Sequence, residues 1–355
     1  MGFKASLLLP ALKVAFKVVS KKNTLPILDC FLLSEGAFGG TVITASDLEN
    51  TVSIENDVQL DTLPFCVNAE LFLKTIEGLG DEEVSIEKKD DRIVVFSARG
   101  EYLMPIESAE DFPTSQLVEP INLHTVMAAE LMHHLGIAAK FTASDELRPI
   151  MAGVFVGNGN VVATNAHVLY KGMMASAPSS DFIISTKSIG VLNALVESSK
   201  LAELSIRVVD RNVLFVCGSH TLITRIIEGR YPNYDSVIPK EGTIIAKFNK
   251  SVLEKALKRV RVFSNKASSL VRLDFMEGQV DISAQDLDFS IAANESVVAE
   301  VEGEGHIGFS SEKLLLCLQA RTEEVITIVA TDPTRAALIM GDSADTILLM
   351  PMQIK

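Results

Sequence analysis

The chain of 355 residues contains no tryptophan, only four tyrosines and only four cysteines. Cys30, Cys66, Cys217 and Cys317 stand far apart in apolar contexts, with no CxxC pair. That spacing excludes a thiolate metal knuckle, gives no disulfide framework and leaves buried reduced thiols. No GxxxxGK[ST], HExxH or GxSxG segment occurs, so three common kinds of catalytic or phosphate-binding site have no carrier. His133 and His134 are adjacent and cannot share a metal as an i,i+4 pair would. The GNGN at 157–160 lies between two strand-like runs, which fits a hairpin turn rather than a nucleotide loop. Apolar runs are too short and too interrupted to span a bilayer. Lys4 followed by SLLLPAL faintly resembles a signal peptide, but Lys13 and Lys17 break the run and no cleavage site follows. MGFKAS fits the loose myristoylation pattern, although its apolar neighbours serve a helix. These absences point to a cytoplasmic globular protein with no catalytic residues, no cofactor and no metal.

What the chain has is repetition. FLLSEGAFGGTVITASDLEN (31–50), GVFVGNGNVVATNAHVLY (153–170) and VRLDFMEGQVDISAQDLDFS (271–290) share one pattern, two β-rich runs around a turn and then a small-polar-acidic step. Aligning Thr44, Thr164 and Ser283 places His167 where Asp47 and Asp286 stand, which favours a structural or binding role for it over catalysis. A spacing near 120 residues is too long for a solenoid unit and fits a small domain. Each copy opens with a stretch of helical period (7–20, 126–140, 250–263) and carries a second one near its middle (69–79, 187–199, 311–321). Pro-punctuated segments at 109–120 and 229–242 read as linkers. The sequence therefore predicts an α+β chain of three tandem similar domains, 1–118, 119–240 and 241–355.

Charge is unevenly placed. Residues 1–28 and 247–266 together hold twelve of the 32 Lys and Arg but one of the 46 Asp and Glu, in a chain of net charge −14. An acidic body with two basic helices can offer phosphate a positive face while staying soluble. Lys13/Lys17 and Lys255/Arg259, spaced i,i+4, read equally as solvated helix faces. Both helices open equivalent copies, so a symmetric arrangement would put them on one side.

NTLPILDCFLL (23–33), TASDLE (44–49), ELRPIMAGVFV (146–156), VATNAHVLY (162–170), EGRYPNYDSVIP (228–239), VFSNKASSLVRL (262–273) and LLMPMQIK (348–355) resemble, in order and spacing, the β subunit of bacterial DNA polymerase III, the sliding clamps. That resemblance implies the DNA clamp fold: a head-to-tail homodimeric ring, helices lining a central hole, and β-sheets forming the outer wall. It implies a non-enzymatic processivity factor that encircles duplex DNA without reading sequence. Polymerase, clamp loader and repair proteins would be its partners through short peptides. A scaffold of the same shape that no longer loads on DNA is the alternative.

By the resemblance, Lys13, Lys17, Lys22, Arg148, Lys255, Lys258 and Arg259 would meet DNA. The partner-peptide groove would comprise Met151, Thr164, Ala166, His167, Val168, Leu169, Pro232, Val237, Leu348, Leu349, Met350, Pro351 and Met352. An ordinary last strand is the other reading of LLMPM. The dimer seam would bring Tyr102 and Met104 opposite Val262 and Phe263, residues that read equally as intradomain core. The chain departs from the family pattern at Pro149 and Ile150, often aromatic, at Ala166, commonly Gly, and at Val168 and Ser236, commonly Arg. Ser268 also stands at a frequent aromatic position. The resemblance thus implies a groove with an altered peptide preference.

Overall fold

Strands that run directly into capped helices set the local structure. Asn68, Ser185, Asn249 and Ser310 each close a strand, and each side-chain oxygen accepts the N–H three residues on. That bond satisfies one of the donors a helix start leaves unpaired. The helices that follow are α2 (Ala69–Leu79), α4 (Thr186–Ser199), α5 (Lys250–Val260) and α6 (Ser311–Gln319). Two more, α1 (Leu9–Phe16) and α3 (Ala128–Ala138), open the first two copies; α1 begins at a proline instead of a side-chain cap. The structure is a computed structural model that describes residues 2–20, 23, 25–37, 39–113, 123–144, 148–176, 178 and 180–354. No described helix is long and apolar enough to cross a membrane.

One element order recurs three times: strand, helix, four strands, helix, three strands, with one short extra strand, Glu300–Glu302, in the third copy. The hairpin in each copy ends in the same turn, closed by a side-chain oxygen on the N–H two residues on. Asp47 Oδ1 accepts from Glu49 (3.0 Å), Asn165 Oδ1 from His167 (3.0 Å) and Asp286 Oδ1 from Asp288 (3.0 Å). Asp47, Asn165 and Asp286 are therefore the equivalent residues at this turn, and the sequence alignment on Thr44, Thr164 and Ser283 is corrected. His167 matches Glu49 by this register, since Leu48 and Ala166 share the same φ of 73° one position earlier. A two-residue slip keeps every strand side chain on its own face, so alternation alone could not detect it. In the third copy the strand Gln279–Asp286 simply runs longer before its turn.

Contacts divide the chain into two units, one of residues 1–132 and 176–228, the other of residues 133–175 and 229–355. In the first unit a 12-stranded antiparallel sheet runs from Phe3–Lys4 to His124–Met127. It joins two copies where Asn50–Asn56 pairs with His220–Arg225, Thr51 opposite Ile223. Phe31, Phe65, Phe72 and Phe215 are fully buried in this unit; sequestering each contributes roughly 2–3 kcal/mol before entropy is counted.

The second unit repeats the joint. Val168–Met173 pairs with Thr346–Leu349, Leu169 opposite Leu348. A separate four-stranded sheet is ordered Ile291–Val298, Gln279–Asp286, Leu270–Met276, Gly305–Ser310. Helix α5 covers one face of it, burying Leu253, Ala256, Leu257 and Val260 at helical spacing. Among the strand edges left without ladder partners in the described residues are the outer side of Ile291–Val298 and residues 100–105 of Gly100–Glu107.

Candidate functional site

The basic residues sit where helical period puts them, on the exposed side of buried stripes. Lys13 and Lys17 are exposed at α1, and Lys255, Lys258 and Arg259 at α5. Three of the five already meet an acid: Lys13 lies 2.8 Å from Glu77, Lys258 3.6 Å from Glu254, and Arg259 Nε donates to Glu295 at 3.0 Å. That last bond holds the Glu295 carboxyl below its ordinary range. Exposed pairs of this kind contribute on the order of 0–1 kcal/mol each, so a phosphate can displace the acid at little cost. Lys17 and Lys255 make no ion pair among the described residues. Arg148 is exposed at the start of the short turn Pro149–Ala152, and Lys22 lies outside the described residues. Helix α3, equivalent to α1 and α5, carries no Lys or Arg.

The predicted groove residues converge on the joint of the second unit. The turn after Thr164 is fixed by Asn165 Oδ1, which accepts the N–H groups of His167 (3.0 Å) and Val168 (3.1 Å). The His167 carbonyl accepts the Met350 N–H at 2.8 Å, and the Gly308 carbonyl accepts the Met352 N–H at 2.7 Å. Thus the last strand lies against the turn and its tail against Gly305–Ser310. Ala166, His167, Pro232 and Val237 are exposed, while Met151, Met350, Pro351 and Met352 are half-buried. Thr164, Val168, Leu169, Leu348 and Leu349 are buried. These five form the sheet beneath the surface rather than the surface itself. Partial burial, then the charges of Lys313 and Arg148, hold the His167 imidazole below its ordinary pKa, so it is neutral at pH 7.

Three residues that sequence reasoning missed hold this arrangement. Tyr231 stacks on Phe155 (5.3 Å between rings), and its hydroxyl accepts the Thr164 N–H at 3.2 Å. Tyr170 bridges His134 Nδ1 (2.6 Å) and Asp345 Oδ2 (3.0 Å), with burial first and Asp345 second raising its phenol pKa. Arg321, 3% exposed, donates to the carbonyls of Ile339 (2.7 Å) and Asp345 (2.7 Å) and to Ser343 Oγ (2.8 Å). His133, His134 and Asp345 do bring ligand atoms within 4.8 Å of one another. Yet Asp345 already accepts from Tyr170 through one oxygen and from the Met173 N–H through the other, so its oxygens serve the joint.

Of the predicted seam residues, Tyr102 is 41% exposed, Val262 72% and Phe263 38%, whereas Met104 is 2% exposed and belongs to its own copy's core. Met104 lies opposite Ile93, which is itself fully buried. Leu103, Leu287, Phe289 and Ile291 are exposed apolar residues on or beside the two unpaired edges.

Comparison with known proteins places these features in a family. The profile of the DNA polymerase III beta subunit, N-terminal domain, matches residues 3–116, and that of its C-terminal domain matches residues 235–354. The beta sliding clamps of Caulobacter vibrioides and Haemophilus influenzae are 27% and 28% identical, each alignment covering 98% of both chains. Among solved structures, the Pseudomonas aeruginosa sliding clamp bound to griselimycin superposes with a TM-score of 0.92 at 23% identity, covering 100% of this chain and 99% of that one. DNA polymerase III beta subunit from Thermotoga maritima gives 0.90 at 22% identity, again covering 100% and 99%. These likenesses fix the fold.

Proposed function

The chain belongs to the DNA polymerase III beta-subunit family, and from that premise we propose that it is a sliding clamp. It encircles duplex DNA as a head-to-tail homodimer and tethers the replicative polymerase, the clamp loader and repair proteins through short peptides. It catalyses no reaction and works in the cytoplasm, where the DNA is. Domains 1–118, 119–240 and 241–355 are its three repeats per chain.

The observation that carries this reading is the pair of unfinished joints. Each internal joint pairs the strand after the capped turn of one copy with the last strand of the next copy. The third such joint has both halves present, Ile291–Val298 and Gly100–Glu107, and the outer side of the first and residues 100–105 of the second have no ladder partner on that side among the described residues. Two chains complete each other there, a heterologous contact that closes after two steps. The cations of α1 and α5 then supply loose, salt-labile phosphate contacts. Topology keeps the ring on DNA, so no tight site is needed. Arg148 adds a contact from its loop, and the surface around His167 and Met350–Met352 receives extended peptides.

Retention on circular DNA tests the proposal. Protein loaded by a clamp loader onto nicked plasmid is gel-filtered at moderate salt, then again after linearisation. Retention on circles and loss from linear ends is the expected result. Equal loss from both overturns encirclement and favours the scaffold reading.

A further inference from the structure

The four-stranded sheet of the second unit has one face under α5, where Leu273, Ile282 and Val280 are fully buried. The opposite face carries a cleft of about 960 Å³. The ladder places Arg272, Ser283 and Asn294 in one row across it, with Gln285 and Ala292 in the next. Small side chains in the middle make the trough. Met352 and Ile354 of the tail form one wall with Leu270, and Asp288 stands at the far end.

Three features describe what would fit. Met352 belongs both to the groove surface and to this cleft, so the two are continuous. Ser268 lines the cleft with a side chain too small to narrow it. The charge of Arg272 is spent, since its Nε donates to both Asp274 oxygens at 3.0 and 2.9 Å. Asp288 has no ion-pair partner among the described residues and keeps only a 3.5 Å contact from Asn265. The cleft thus offers an apolar wall, amide and hydroxyl groups able to bond a peptide backbone, and one unpaired negative charge. From strand 270–276 to strand 291–298 is about 10 Å at normal strand spacing, the reach of roughly three extended residues.

We propose that this cleft is a second stage of the partner groove, holding residues that flank the groove-bound part of an extended peptide. It takes an apolar side chain against Leu270, Met352 and Ile354, and a Lys or Arg facing Asp288. The assignment rests on the groove reading above.

The test begins with fluorescent peptides of about twenty residues tiled across the replicative polymerase of the same organism, measured by anisotropy against the full-length chain. The best binder is then compared with a form trimmed by about three residues at either end, and with forms carrying Lys or Glu in the trimmed stretch. The full peptide binds about tenfold more tightly than one trimmed form, a difference one packed side chain supplies. Ser283→Trp removes that advantage and leaves the trimmed form unchanged, and Asp288→Lys turns the preference from Lys to Glu. Equal binding of full and trimmed peptides, or no effect of both substitutions, overturns the cleft. Val237→Asp distinguishes the underlying groove: if it leaves the trimmed peptide unaffected, or if no tile binds at all, the groove reading fails and the cleft with it.

Discussion

Ala166 carries the clearest local strain in the groove. Its φ of 73° lies in the left-handed region, which an alanine occupies at a cost of about 1 kcal/mol. The turn tolerates this because Thr164 Oγ1 accepts the Ala166 N–H and also donates to the Val168 carbonyl at 2.7 Å. Ala166→Gly should raise stability by roughly 0–0.5 kcal/mol, the relieved strain less the added chain entropy. A urea unfolding series would register it as a higher midpoint at unchanged slope. Gly172 is the converse case: a Cβ there would meet His134 Nδ1 and the Tyr170 hydroxyl, so the residue is small because that bond needs the space.

At the scale of elements, the first joint contains a titratable group. His220 stands opposite Ile54, its ring nitrogens 3.2 Å from the hydroxyls of Ser219 and Ser198. Burial holds its pKa below the ordinary 6.5. The folded state therefore prefers the neutral ring. Its contribution is complete above pH 6.5 and is lost as pH falls through the lower folded value. Wild type should lose urea stability relative to His220→Gln as pH falls below about 6.5; parallel curves would remove His220 from the account. The helices give a second expectation. If Lys17 and Lys255 each neutralise one phosphate, Lys17→Ala and Lys255→Ala should each lower the slope of log affinity against log salt by about 0.9. Glu77→Gln, which frees Lys13, should strengthen binding at low salt. Titration of a labelled duplex over a range of salt checks both.

Much of this level was legible in the sequence. The helices and the turn at GNGN follow from nearest neighbours and period. The joints were not, because Tyr170 and Asp345 meet across 175 positions and nothing local marks the pairing. For the same reason Met104 and Val168 could be named from resemblance, while their burial could not.

For the whole molecule, the internal joints fix the register of the intermolecular one. Thr51 faces Ile223 and Leu169 faces Leu348; the equivalent residues on the open edges are Ala292 and Leu103. A chain with Leu103→Cys and Ala292→Cys should oxidise to a covalent dimer that survives detergent without reductant, whereas Leu103→Cys with Val298→Cys should not. Equal cross-linking of the two pairs would refute the register. The native thiols do not compete, since burial pushes Cys30 up to about 11 and Cys66 up to about 12 and leaves little thiolate at neutral pH. The capped turns carry a consequence of a different kind. Asp47, Asn165 and Asp286 perform one bond at three equivalent sites, so descent from a tandem duplication survives here in an acceptor atom even where the letter has changed. A search for ancient internal duplications that scores shared hydrogen-bond function at turns would find this ancestry where residue identity has faded.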